Sequence, residues 1–167
     1  RRSAVARAMP RLTDVALYGV PMDEALDDAT QSFGELELVV VEVKADGAAG
    51  MGFTYTIGEG GSAIHEFAGT TLRPLVEDGP AAPRAAREHL RAGTTFVGRE
   101  GISELALSAV DIALWDALGR RTGAPLYELL GGERERVPAY QTHGGWLQHD
   151  VETLVANAEA AAADGFA

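Results

Sequence analysis

Cysteine is absent from all 167 residues. That excludes disulfides, thiolate metal sites and cysteine nucleophiles at once. Basic residues are scarce: 14 Lys and Arg stand against 25 Asp and Glu, for a formal net charge of −11. The resulting isoelectric point, near 4.7, argues against a nucleic-acid partner, which needs a basic footprint, and against docking to an anionic membrane. No apolar run approaches the roughly 20 residues of a membrane span. The first ten residues are basic and lack the apolar core of a signal peptide, so 1–11 reads as a lead-in. These absences together place the expected compartment in the cytoplasm. Neither GxGxxG nor GxxxxGK[ST] occurs, and the four histidines lack HExxH-like spacing. Internal repeats and low-complexity tracts are missing too. What is there, 46% apolar and 23% charged residues, is ordinary for a globular protein with a real core.

Residues 12–20 (LTDVALYGV) alternate apolar and polar and predict a strand that Pro21 ends. Residues 22–34 are polar and acidic and predict a loop. Residues 36–43 (LELVVVEV) predict a strong strand, Asp46-Gly47 a turn, and residues 51–57 (MGFTYTI) a returning strand. The three strands make an antiparallel meander. Six glycines between Gly47 and Gly61 favour close backbone approach and a mobile loop over 53–61. Helices are expected at 62–76, from Pro83 to Gly93, and at 102–121. The last carries apolar residues at i, i+3, i+4 and i+7, with Gly123 as its stop. A short helical turn follows at 126–130. Residues 137–142 (VPAYQT) predict a further strand, 143–149 a loop, and 150–164 a helix capped by Asp150. A strand, loop and helix form most of a βαβ crossover whose second strand is missing. The expectation is that the natural polypeptide continues beyond Ala167 or that another chain supplies the rest.

Residues 104–132, ELALSAVDIALWDALGRRTGAPLYELLGG, carry a resemblance. They resemble the signature helix of the enolase superfamily, in its mandelate racemase and muconate lactonizing enzyme branch. The resemblance covers roughly 12–167. It implies an α+β fold: an enolase-like N-terminal capping domain (12–132), made of the meander plus helices, then the first unit of a truncated (β/α) TIM-type barrel (133–167). In that family Mg²⁺ is held by three carboxylates at the ends of barrel strands. The reaction is abstraction of the proton α to a carboxylate, through an enediolate. Those strands are not in this sequence, so neither a catalytic base nor a metal ligand is carried over. The implied partners are a small carboxylic acid or acid sugar, the remainder of the barrel, and further copies of the chain. The implied enzyme is a dehydratase, a racemase or epimerase, or a cycloisomerase, and the segment alone is expected to be inactive. A non-catalytic cap acting as a partner-binding module is the alternative.

What carries over by position is a lid of two loops, 22–32 and 53–58, and the loop after the first barrel strand, 143–146. Met22, Phe53, Tyr55, Thr56, His143 and Trp146 are the substrate-contact candidates. Phe53 and Tyr55 share a strand face and read equally as core. The hydroxyl-bearing stretch Thr54, Tyr55 and Thr56 favours an acid sugar. Met22 and Phe33 read as the tip of the first lid or as packing. His143 reads as a binding contact and Trp146 as a pocket wall. Asp111 and Asp116, beside Trp115, read as structural hydrogen-bonding groups that tie the signature helix to the barrel. His65, His89 and His149 are assigned to helical surface or core positions, and Asp23, Glu24, Asp27 and Asp28 to a solvated loop.

Overall fold

The computed structural model describes residues 9–142 and 144–166. The chain forms two compact units. The first contains residues 1–20 and Leu36–Gly132, and the second contains Pro21–Glu35 and Glu133–Ala167.

A three-stranded antiparallel sheet has the order β1-β2-β3, with β1 at Arg11–Asp27, β2 at Ser32–Ala45 and β3 at Ala48–Ile57. The fold is the α+β capping arrangement implied by the resemblance. Both predicted lid loops turn out to be largely strand, with a turn at 28–31 in the first. β1 does not stop at Pro21 but runs to Asp27. It lies at the sheet edge, where a residue without an N–H costs no inner ladder bond. Residues 22–34 are therefore hairpin, not loop. The predicted mobile loop at 53–61 is likewise strand as far as Ile57. β3 pairs with β2 from Ala45↔Ala48 to Leu36↔Ile57, and this ladder overrides the glycine content. At the turn between them Asp46 and Gly47 have φ of 49° and 87°, the paired positive angles that a two-residue type I′ hairpin needs.

Helices cover the inner face of the sheet. α1 (Gly61–Glu66), a π-helical segment (Phe67–Leu72) and α2 (Arg73–Glu77) follow without a break. Their buried residues Ile64, Ala68, Leu72 and Val76 recur every four positions. In an α-helix such a row drifts by about 40° per step, and a wider π turn resets it onto the core. Glu37 of β2 accepts the Gly61 N–H at 2.7 Å, which places a carboxylate at the start of α1. α3 (Pro83–Gly93) has the predicted boundaries. α4 (Ile102–Thr122) buries Ala106, Leu107, Ala109, Val110, Ala113, Leu114 and Ala117, and stops at Gly123, where φ is 67°. Ile102, predicted for its apolar stripe, is exposed at the first turn. α5 (Leu126–Leu129) is one turn long.

The core joins α4 to Leu12, Val39, Val41 and Val43 of the sheet and to Ile64, Leu72 and Leu90 of the other helices. α4 lies directly against β3. A Cβ at Gly50 would fall 2.1 Å from the Ala113 carbonyl oxygen, and one at Gly52 would fall 2.0 Å from that of Ala109. Two of the six glycines are thus a packing requirement.

In the second unit, residues 137–142 carry no strand pairing, contrary to the sequence expectation. A strand is defined by ladder pairing with its neighbour, and no such ladder is assigned to these residues. α6 (Val151–Ala163) begins as predicted at Asp150, whose side chain accepts the Thr153 N–H at 2.8 Å. None of the unit's described residues is fully buried.

Gly52→Ala is expected to destabilise the protein by about 2–3 kcal/mol or to prevent folding, since the helix must move off the sheet. Gly34→Ala, whose Cβ would meet only the Ala25 Cβ at 3.8 Å, is expected to change stability by less than about 0.5 kcal/mol. Urea unfolding followed by circular dichroism compares the two.

Candidate functional site

The acidic groups of α4 are already engaged. Asp111 Oδ2 accepts from Arg87 Nη1 at 2.9 Å, and Glu104 Oε1 accepts from Arg87 and Arg91, each at 2.8 Å. Asp116 Oδ2 accepts the Met51 N–H at 2.9 Å and Arg120 Nε at 2.8 Å. Their roles are structural, as the sequence suggested. The partners described lie on α3, on β3 and, for Arg120, on α4 itself, all in the first unit. Arg121 pairs with Asp46 in the β2–β3 turn, so the C-terminal half of α4 is tied to that turn and to the start of β3.

Along β3 the side chains alternate. Gly52 and Thr54 face the core, whereas Phe53 and Tyr55 stand 53% and 54% exposed. That exposure removes the core reading of Phe53 and Tyr55 and leaves them available to a ligand. It also turns the hydroxyl-stretch argument around, because Thr54 is buried at 6% exposure. Thr56, on the side away from Phe53 and Tyr55, directs its hydroxyl to Glu37 Oε2 at 3.5 Å. The same carboxylate holds the start of α1, so Thr56 belongs to the β3–α1 junction.

Met22 and Trp146 belong to the second unit, and the structure brings them together. They line one cleft of about 540 Å³ with Leu26 and the polar residues Asp23, Glu24, Gln148 and His149. This volume lies within the range of about 300–1,000 Å³ usual for small-molecule sites. The outer part of β1 is held to the 146–149 turn by two hydrogen bonds. Leu147 N–H donates to the Asp27 carbonyl at 3.0 Å, and Asp27 N–H donates to Gln148 Oε1 at 3.1 Å. Phe33 meets the Trp146 ring edge-on, with centroids 5.9 Å apart at 85°. That edge-to-face contact fixes the indole wall.

His143 lies outside the described residues. His149 is not helical as expected. It sits in the turn before α6, and with Gln148 it joins the cleft unforeseen. Asp23 and Glu24, taken from the sequence as a solvated run, line the cleft because β1 extends past Pro21. Alternation continued through that proline was the signal available. Among the described residues no group of three or more His, Asp or Glu could hold a metal ion. No helix among them is long and apolar enough to cross a membrane.

The hairpin tip beside the cleft is a built turn. The Thr30 hydroxyl donates to Asp28 Oδ1 at 2.6 Å, and the Thr30 and Gln31 N–H groups donate to the same oxygen at 2.7 and 2.9 Å. Those bonds, the Thr30 hydroxyl first, hold the Asp28 carboxyl below its ordinary pKa. At the start of α6 the Thr153 N–H lowers Asp150 in the same way.

Residues 13–131 match the family described as mandelate racemase / muconate lactonizing enzyme, N-terminal domain. The chain is 35% identical over 153 residues to a 3,6-anhydro-alpha-L-galactonate cycloisomerase of Streptomyces coelicolor, covering 90% of this chain and 42% of that protein. It is 35% identical over 151 residues to the L-talarate/galactarate dehydratase of Salmonella typhimurium, covering 86% and 38% respectively. The crystal structure of that dehydratase, liganded with Mg and L-lyxarohydroxamate, superposes with a TM-score of 0.84 at 29% identity. The match covers 99% of this chain and 44% of the other. The chain thus spans about two fifths of the length of the curated relatives it matches.

A carboxyl with a lowered folded pKa contributes stability above its unfolded value and loses it as pH falls through the folded one. The Thr30 and Gln31 amide resonances are therefore expected to titrate with a midpoint below that of an ordinary aspartate. Asp28→Ala is expected to abolish that titration. A midpoint at or above the ordinary value would refute the turn's role.

Proposed function

This chain belongs to the mandelate racemase / muconate lactonizing enzyme branch of the enolase superfamily, and on that premise we propose that it is the N-terminal part of a Mg²⁺-dependent enzyme that removes the proton α to a carboxylate. In this reading residues 12–132 are the capping domain and 133–167 the entry to the barrel. The activity is that of a lyase or isomerase on an acid sugar, with dehydration first and racemisation or epimerisation second. The observation that carries it is the likeness of nearly the whole chain to an acid-sugar dehydratase liganded with Mg. The ion's ligands and the base lie in barrel residues outside this sequence. Mg²⁺ would supply stabilisation of the negative charge that develops on the substrate carboxylate.

The chain's own contribution is to enclose the substrate. Met22 and Trp146 wall the cleft, and Phe53 and Tyr55 offer exposed aromatic surface on β3. His143 stands as a contact by its place in the sequence. A closing lid excludes water and strengthens every charge interaction beneath it. Because its two outer segments are hydrogen-bonded strands, this lid presents ordered walls rather than free loops.

The full polypeptide carrying this segment, given acid sugars in deuterated water, is expected to release a keto acid or to exchange the C2 proton. Chelation should abolish turnover and Mg²⁺ should restore it. Trp146→Ala is expected to raise KM about tenfold, through loss of an aromatic wall. An intact polypeptide that neither converts nor exchanges any acid sugar at saturating Mg²⁺ would sink the proposal.

A further inference from the structure

The polar lining of the cleft in the second unit holds two carboxylates and no guanidinium or ammonium group. Asp23 and Glu24 bring negative charge and acceptor oxygens, while Gln148, Trp146 and the His149 ring bring N–H donors. Gln148 Oε1 is used by the Asp27 N–H, which leaves the amide nitrogen as the free end of that side chain. Gln148 Nε2 and Trp146 Nε1 are both buried without a hydrogen-bond partner. A buried N–H left without an acceptor is costly. No arginine or lysine is among the lining residues. In the whole of 21–35 and 133–167 the only such cations are Arg134 and Arg136, and neither lines the cleft.

Carboxylates are recognised by guanidinium or ammonium groups, and a carboxylate accepts hydrogen bonds but donates none. Set between Asp23 and Glu24 it would meet like charge, with only the N–H groups of Gln148, Trp146 and the His149 ring to donate to it. A hydroxyl both donates and accepts. It can donate to Asp23 or Glu24 while accepting from Gln148 or Trp146.

We infer that this cleft takes the end of the substrate remote from its reacting carboxylate, and takes it as an uncharged polyol. The enzyme therefore prefers monocarboxylic acid sugars to dicarboxylic ones. The inference rests on the proposed function and adds the substrate class to it. It parts company with one relative, whose printed substrates, talarate and galactarate, are dicarboxylates.

The test is the ratio of kcat/KM for matched pairs, gluconate against glucarate and galactonate against galactarate, with the full polypeptide and Mg²⁺. Each pair is measured on one preparation, so the folded fraction cancels. The monoacid is expected to win by at least about tenfold, the order of one like-charge contact at short range. The double variant Asp23→Asn, Glu24→Gln is expected to shift the ratio toward the diacid by a similar factor. Gln148→Ala is expected to raise KM for the monoacid more than for the diacid. A wild type that handles the diacid as well as the monoacid, or a double variant with an unchanged ratio, overturns the inference and leaves the enzymatic reading standing. Absence of turnover with either class removes the enzymatic reading and this inference with it.

Discussion

The seam between α4 and β3 is the constraint on which the first unit depends. Two backbones can approach this closely only where side chains are nearly absent. Gly50 and Gly52 supply that on the strand, and Ala109, Ala113 and Ala117 supply it on the helix. Once α4 is seated there, its flanks are fixed. Asp116 reaches the Met51 N–H, Arg121 reaches Asp46, and the Arg87–Glu104–Arg91 cluster locks α3 alongside. Packing of this density tolerates little change in volume, which is why a long run of small residues specifies the position of α4 so narrowly.

The same seating decides where chemistry is available. Each acidic side chain of α4 makes at least one ion pair within the first unit, with Asp111 Oδ1 left over, so the most motif-like stretch of the chain serves its scaffold. Groups free to meet a ligand lie elsewhere. On β3 they are the aromatic residues that alternation turns outward. In the second unit they line the cleft between the outer part of β1 and the 146–149 turn. That unit is organised by a few directed bonds, namely Asp27 to Leu147 and Gln148 and the Phe33–Trp146 edge contact, rather than by a buried apolar cluster. Its features are polar and directional.

The regular elements were legible where one physical signal ruled. α3, α4 and α6 were bounded correctly because Pro83, Gly123 and Asp150 act through local stereochemistry. The Asp46-Gly47 turn was legible because its dihedral demand is met by few residue pairs. The outer part of β1 was misjudged as a loop, since proline weakens the local signal for a strand while pairing with β2 supplies the bonds; β3 was legible as a strand over 51–57, and only the mobile loop laid over its second half was misjudged. Residues 137–142 failed in the opposite sense: a strand-like composition forms no strand among the described residues.

Of the candidate site, Met22 and Trp146 were foreseen, whereas Gln148, His149, Asp23 and Glu24 were not, because they meet only after the chain has folded. The sequence by itself determined the family, the helix limits, the meander and the acidic character. Each of these is written in neighbours along the chain or in a contiguous motif. Only the tertiary structure decided which glycines serve packing, which aspartates are consumed by ion pairs, and which polar side chains converge on one cleft. Those outcomes depend on contacts between residues dozens to more than a hundred positions apart, and no local pattern records them.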